Sequence, residues 1–383
     1  MNPPLAASRS PRDGGSMQSN STGPSQANRS LVDTLASALL YEGYILYPYR
    51  ASAVKNQQRF NFGGLYPPAY AQAQSGSDAS RMQTECLIVA TGQTTLALRV
   101  RFLHLLARQI GRRVDGERSE QDGSRPDGSA SFEPVDSVEV AGRNYYAWQE
   151  AVEREVPLSS VNLQEVAARP IHHAFSFPAS TRVESLTDKL GQTVATVTRS
   201  QAEIVGSLEV TAQELSAGLF RVRIVIENRA PTRDASGERE QALLRTLTST
   251  HTILTVADGE FVSLLDPPDE FREAAAGCQN LGAWPVLVGA AGERDTMLAS
   301  PIILYDYPQI APESAGDMFD GTEIDEILTL RIMLLTDAEK REMCEVDERA
   351  RHILERTEML PPEQLWKMHG AVRGLRPAGG TLP

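Results

Sequence analysis

The chain has 383 residues, of which 41% are hydrophobic and 23% are charged, and 50 acidic residues against 37 basic ones give a net charge of −13. This length and apolar content suffice for two or three folded domains with hydrophobic cores. The acidic balance argues against a nucleic-acid-binding surface, since such surfaces are built from clustered lysine and arginine. No apolar run approaches the roughly 20 residues that span a bilayer, so we expect no membrane insertion.

The spacing of the cysteines and the N-terminal sequence indicate the cellular compartment. Cys86, Cys278 and Cys344 lie too far apart in sequence to form a C-x-x-C pair or a disulfide framework. The first 30 residues contain no hydrophobic stretch of the kind that directs secretion. These observations predict a cytoplasmic protein.

The N-terminal part is predicted to pass from disorder to a helix. Residues 1–30 are rich in Ser, Asn, Pro and Gly, a composition that cannot offset the entropy lost on ordering. A helix is predicted to begin at Leu31, because Ser30 can cap it and Leu35 and Leu39 continue one apolar face.

A strand pattern replaces the helical one from residue 85 onward. In LFRVRIVIEN, Phe220, Val222, Ile224 and Ile226 alternate with polar residues, as expected of a half-buried antiparallel strand. The predicted strands are 85–90, 95–104, 138–150, 172–176, 193–210, 219–228, 247–257, 284–288, 302–305 and 326–335. They predict a mainly β, α+β fold with an antiparallel β-sandwich-like core, an N-terminal helix and C-terminal helices.

The predicted organisation divides the chain into six segments. Residues 111–128 are charged, Gly-rich and free of aromatic residues, which indicates a flexible insertion. Thr336 and Glu339 form a T-x-x-E capping box that opens the C-terminal helices. The segments are a disordered tail 1–30, a helix with a Tyr-rich segment and first strands 31–110, an insertion 111–130, a β-rich core 131–335, a helical segment 336–375 and a disordered tail 376–383.

A Tyr-rich segment, residues 41–70, contains six of the ten tyrosines and intervening basic residues. Such a segment could form a stacking or cation–π platform for a partner. Alternatively, the rings bridge the helix and the sheet with wet hydroxyl groups. The candidate partner-binding residues are Tyr44, Tyr47, Tyr49, Arg50 and Arg59.

An acidic segment, residues 305–330, contains the second set of candidates. Residues 306–360 contain 15 acids and six bases, so much of the net charge lies here. An acidic surface for a basic partner and a solvated acidic loop both explain this composition. The candidate residues are Asp306, Glu313, Asp320, Glu323 and Asp325. Asp317, Asp320 and Glu323 form a weaker candidate metal site, since their spacing differs from that of an EF-hand loop.

No constellation in the sequence predicts catalysis. Cys86 precedes an apolar strand, which favours a buried, inert thiol, although His104, His172 or His173 could meet it in space. His172 and His173 are adjacent and point to opposite sides of a strand, so they cannot both bind one metal. We predict no catalytic residue and no cofactor.

Three blocks resemble a family of uncharacterised bacterial proteins encoded in NiFe hydrogenase gene clusters of the actinobacterial type. Residues 40–67 with 82–86, and residues 360–370, are similar to its two ends. Residues 300–331, SPIILYDYPQIAPESAGDMFDGTEIDEILTLR, resemble its most distinctive block. The resemblance links the chain to hydrogenase through gene neighbourhood.

The resemblance implies a non-catalytic accessory or assembly protein that binds a NiFe hydrogenase subunit or a maturation protein. Two alternatives stay open. The chain could be a metal-handling protein or metal-dependent enzyme that uses residues 306–326. It could also be a ligand-binding β-sandwich that uses the Tyr-rich segment.

Overall fold

The computed structural model describes residues 26–45, 62–75, 78–114, 131–231, 238–309, 332–346 and 348–359. These residues form a mainly β, α+β fold with a large antiparallel sheet, an N-terminal helix and C-terminal helices, which confirms the predicted fold class. The helices are α1 (Gln26–Ile45), α2 (Pro68–Ala73), α3 (Leu163–Ala168), α4 (Arg239–Leu243), α5 (Arg272–Ala276), α6 (Asp337–Val346) and α7 (Glu348–Met359).

Thirteen strands are described. They are β1 (Arg81–Val114), β2 (Ser131–Val135), β3 (Ser137–Val140), β4 (Arg143–Tyr146), β5 (Trp148–Asn162), β6 (Ile171–Phe177), β7 (Ser180–Thr187), β8 (Thr193–Gln201), β9 (Ile204–Ser216), β10 (Leu219–Asn228), β11 (Thr248–Val262), β12 (Trp284–Leu287) and β13 (Thr296–Ser300). Eleven of them form one antiparallel sheet. Seven follow the order β12-β13-β11-β1-β10-β9-β6, while β2, β5 and β8 also pair with β1, and β7 pairs with β8. β3 pairs separately with β4.

The 34-residue strand β1 organises the sheet. Its first part pairs with β10, its middle with β11 and β5, and its end with β8 and β2. The register shifts between Ala90 and Thr95, where Thr94 donates a hydrogen bond from its Oγ1 to the carbonyl oxygen of Asp258. Such an irregularity bends a strand and increases its twist.

The bent sheet folds back on itself around one main core. The side chain of Phe102 on β1 contacts Phe175 and Phe177 on β6, with ring centroids 6.3 and 5.7 Å apart. Because β6 is separated from β1 by two strands in the sheet order, this contact brings the two halves face to face. The result is the sandwich-like packing that the alternating strands predict.

Helix α1 covers an outer face of the sheet. It begins at Gln26, five residues before the predicted start, within the segment predicted to be disordered. Asn28 explains the difference, because its buried side chain donates to Asp295 Oδ1 and accepts from the backbone N–H of Ala290. This contact with a distant loop adds a tertiary anchor that sequence pattern does not show.

The structure tests two other predictions, the capping box at Thr336 and the insertion that was predicted to begin at residue 111. The capping box is confirmed, since Glu339 accepts from the backbone N–H of Thr336 at 2.8 Å and donates its own backbone N–H to Thr336 Oγ1. The predicted insertion begins later than residue 111, because residues 111–114 belong to β1 and pair with β2. Residues 115–130 lie outside the described part.

Candidate functional site

One predicted partner-binding residue, Asp306, has a described side chain. Tyr44 lies in α1, where the structure describes its backbone alone. The other candidates lie outside the described residues, and they are Tyr47, Tyr49, Arg50, Arg59, Glu313, Asp317, Asp320, Glu323 and Asp325. Asp306 and its neighbours therefore represent the acidic segment in the structure.

Asp306 is an internal anchor. Its Oδ1 accepts a hydrogen bond of 2.8 Å from the backbone N–H of Leu287 on β12, and its Oδ2 accepts from Ser263 Oγ. Ser263 Oγ in turn accepts from the backbone N–H groups of Leu265 and Asp266. The carboxylate thus fixes the chain at residue 306 against two other segments.

Tyr307 strengthens this anchor. Its backbone N–H donates to the carbonyl oxygen of Leu287 at 2.7 Å, and its hydroxyl donates to the carbonyl oxygen of Glu293 at 2.9 Å. Burial raises the pKa of the Tyr307 hydroxyl. Residues 306 and 307 are therefore held against Leu287 of β12 by two hydrogen bonds.

The residues just before this anchor present a surface that we call the Tyr305 surface, formed by Ile303 and Tyr305. The two side chains are 76% and 86% exposed. Leu304, between them, is 3% exposed and packs in the cluster that includes Leu35 and Leu39 of α1. Because Leu304 and Asp306 point into the protein, the alternating residues Ile303 and Tyr305 point out of it.

A polar groove of about 520 Å³ lies on the outer face of the sheet, across β6, β9, β10 and the start of β1. His172 Nδ1 lies 3.4 Å from Glu209 Oε2, and Arg223 Nη2 lies 3.1 Å from Glu209 Oε1. Arg229 contacts Glu227 at 2.7 Å. These ion pairs offset much of the groove's charge, which weakens it as a site for a charged ligand.

This groove is not among the sites that the sequence predicts. The alternation of charged residues along β9 and β10 predicts an outward-facing polar side of each strand. The turn at residues 217–218 sets the register that brings Glu209 near Arg223, and pairing of β9 with the more distant β6 brings Glu209 beside His172. No signal within either strand specifies that register.

Three reactive side chains among the described residues, Cys86, His104 and His251, are buried. Cys86 has no exposed surface, and burial raises the pKa of its thiol well above the usual range. His104 and His251 are also fully buried, and burial lowers the pKa of each to about 4. Neutral and out of reach of solvent, these groups are unsuited to attack a substrate or to transfer protons to one.

Two described tyrosines of the Tyr-rich segment, Tyr66 and Tyr70, pack inside the protein. Tyr66 and Tyr70 are 3% and 4% exposed and stack with ring centroids 5.4 Å apart. Arg239 Nη2 donates to the Tyr66 hydroxyl oxygen at 2.8 Å, and burial raises the pKa of this hydroxyl to about 12. These two rings therefore stabilise the fold and do not line a binding groove.

Within the described ranges, no group of three or more His, Cys, Asp or Glu side chains is placed to hold a metal ion. The candidate metal residues Asp317, Asp320 and Glu323 lie outside those ranges. No helix of the described part combines the length and apolar character needed to cross a membrane. A scan of protein-family models and a search of curated proteins for similar sequences found no match.

Proposed function

We propose that this chain is a non-catalytic accessory protein that binds another protein through the Tyr305 surface. The observation that carries the proposal is the exposure of Ile303 and Tyr305 beside a rigid anchor. Large apolar side chains held out in solvent are available for burial against a partner. Tyrosine is also enriched among the residues that contribute most to binding.

The anchor gives this surface a low entropic cost of binding. Asp306 and Tyr307 fix the backbone on one side of Tyr305, and buried Leu304 fixes it on the other. A surface that is already ordered loses little conformational entropy when a partner docks. An exposed aromatic side chain on a fixed backbone is therefore well suited to specific recognition.

The partner we propose is a NiFe hydrogenase subunit or a hydrogenase maturation protein. This part of the proposal rests on the family resemblance of residues 300–331, the block that contains the Tyr305 surface. A binding role is also supported by the burial of Cys86, His104 and His251, which removes them from contact with a substrate.

Tyr305→Ala is expected to reduce capture of hydrogenase subunits at least about tenfold when the tagged protein is purified from its native host, as for a central interface tyrosine. The stability of the protein is expected to stay within about 0.5 kcal/mol of wild type, since the side chain is exposed. Quantitative mass spectrometry of the captured proteins measures the first quantity, and thermal unfolding measures the second.

Leu190→Ala is the matched control. Leu190 is 82% exposed and lies in the turn between β7 and β8, outside the Tyr305 surface. This variant is expected to capture hydrogenase subunits as well as wild type does. Equal capture by Tyr305→Ala and wild type would refute the proposed surface, and capture of no hydrogenase subunit by wild type would refute the proposed partner.

A further inference from the structure

The loop between β12 and β13 contacts both helix α1 and the anchor of the Tyr305 surface. On one side, Asn28 of α1 donates from Nδ2 to Asp295 Oδ1 at 3.1 Å and accepts at Oδ1 from the backbone N–H of Ala290 at 3.2 Å. On the other side, the Tyr307 hydroxyl donates to the carbonyl oxygen of Glu293 at 2.9 Å. This loop therefore connects the first turn of α1 to the anchor beside Tyr305.

The loop is shaped to receive the side chain of Asn28. Asn28 is 4% exposed, and its amide lies against Gly289. Gly289 has a φ of +116°, a backbone conformation that residues with a Cβ rarely adopt. A Cβ on Gly289 would lie 2.1 Å from Asn28 Oδ1. Glycine at position 289 thus leaves the space that the buried amide occupies.

Helix α1 also contacts the chain directly before Tyr305. Leu304 is 3% exposed and packs in the same buried cluster as Leu35 and Leu39 of α1. The cluster therefore reaches the residue before Tyr305, and the loop reaches Tyr307 after it. Because both routes begin at α1, the position of this helix sets the backbone on both sides of Tyr305.

We propose that Asn28 is a positioning residue for the Tyr305 surface. By fixing α1 to the loop between β12 and β13, it holds residues 304–307 in the conformation that presents Tyr305. This inference rests on the proposed function and deepens it. Asn28 is buried and does not meet the partner, but a binding side chain whose backbone is fixed in advance loses less entropy on docking.

Asn28→Asp tests this role, because it places a carboxylate opposite that of Asp295 and removes the donor between them. An acidic residue in the first turn favours the helix itself, so the variant acts on the contact with the loop. We expect amide hydrogen exchange in the peptide containing Tyr307 to become at least about tenfold faster, as for a locally loosened segment. Exchange in β10 is expected to stay unchanged, and mass spectrometry measures both.

The double variant Asn28→Asp with Asp295→Asn tests the contact itself. The new amide at position 295 can donate to the new carboxylate at position 28, which still accepts from the backbone N–H of Ala290. We therefore expect exchange at Tyr307 to return to the wild-type rate. Asp295→Asn alone is the matched control, because its amide oxygen can still accept from Asn28, and it is expected to exchange like wild type.

Capture of hydrogenase subunits by the same three variants links the contact to binding. Asn28→Asp is expected to capture at least about fivefold less than wild type, since the surface must be ordered on docking. The double variant and Asp295→Asn are expected to capture as wild type does. Capture at the wild-type level by an Asn28→Asp protein whose exchange is accelerated would overturn the positioning role.

The exchange experiment also decides the inference without any partner. Unchanged exchange at Tyr307 in Asn28→Asp, or a double variant that exchanges as fast as Asn28→Asp, would overturn it. If wild type captures no hydrogenase subunit, the proposed partner is refuted, and the exchange rates of the three variants still support or overturn the coupling of Asn28 to the Tyr305 surface. The two proposals therefore fail by different measurements.

Discussion

Lowering the pH from 7 to 4 is expected to destabilise the folded protein by up to about 3 kcal/mol for each of its two fully buried histidines. Burial lowers the pKa of His104 and of His251 from 6.5 to about 4. Between these values the unfolded chain binds more protons than the folded protein does. The free energy of unfolding therefore falls as the pH falls through this window, as chemical denaturation at a series of pH values would measure.

His104→Leu isolates one of the two contributions. The ring nitrogens of His104 have no side-chain hydrogen-bond partner, so leucine removes the titrating group without stranding another side chain. The decline in stability between pH 6.5 and 4 is expected to be about half as steep in this variant. His172→Leu is the control, because His172 is 70% exposed at its side chain. A decline of equal steepness in His104→Leu and wild type would disprove the assignment.

Gly206→Ala is expected to destabilise the protein by about 3 kcal/mol, the upper part of the range for overpacked cores. A Cβ at position 206 would lie 2.2 Å from Cζ of Phe175, which packs across the glycine from β6. The phenylalanine ring is rigid and contacts Phe102 and Phe177, so it cannot move without disturbing the aromatic cluster. Thermal unfolding measures the loss.

The double variant Gly206→Ala with Phe175→Leu tests this steric explanation. Leucine removes the ring atoms that clash with the added methyl group. The alanine substitution is therefore expected to cost less than about 1 kcal/mol in the Phe175→Leu background. An equal cost in both backgrounds would show that the loss arises from the backbone of residue 206 and not from Phe175.

Sequence pattern predicted some strands with one buried face well, but the predicted strands 138–150 and 193–210 each cover more than one strand of the structure. Residues 219–228 form β10, and the predicted inward residues Phe220, Val222, Ile224 and Ile226 are buried. Alternation of side chains is a local property, so the sequence shows it directly. The predicted break between strands 85–90 and 95–104 corresponds to the irregularity in β1, where one strand continues through a bend.

Features that depend on hydrogen bonds between residues distant in sequence could not be predicted. Asp306 was predicted to face a binding partner, but its carboxylate accepts bonds from Ser263 and Leu287, which lie 43 and 19 residues away in sequence. The early start of α1 likewise depends on contacts of Asn28 with Ala290 and Asp295. A carboxylate in an acidic segment gives no local sign that it will bond internally.

The exposure of Tyr305 likewise depends on tertiary contacts that the sequence does not show. The prediction of a strand at residues 302–305 was wrong, because the last described strand ends at Ser300 and the chain then bends. Sequence pattern cannot tell which side chains of this segment face the solvent. Burial of Leu304 against α1 decides this, and leaves Ile303 and Tyr305 outside. The surface on which the proposed function rests is therefore a product of tertiary packing.

Deletion of the gene in the native host, followed by complementation, tests the proposed role in hydrogenase assembly most directly. Assembled hydrogenase and its activity are expected to fall in the deletion strain. Wild-type protein and Leu190→Ala are expected to restore both, and Tyr305→Ala is expected to restore neither. Hydrogenase assembly and activity that stay intact in the deletion strain would contradict the account.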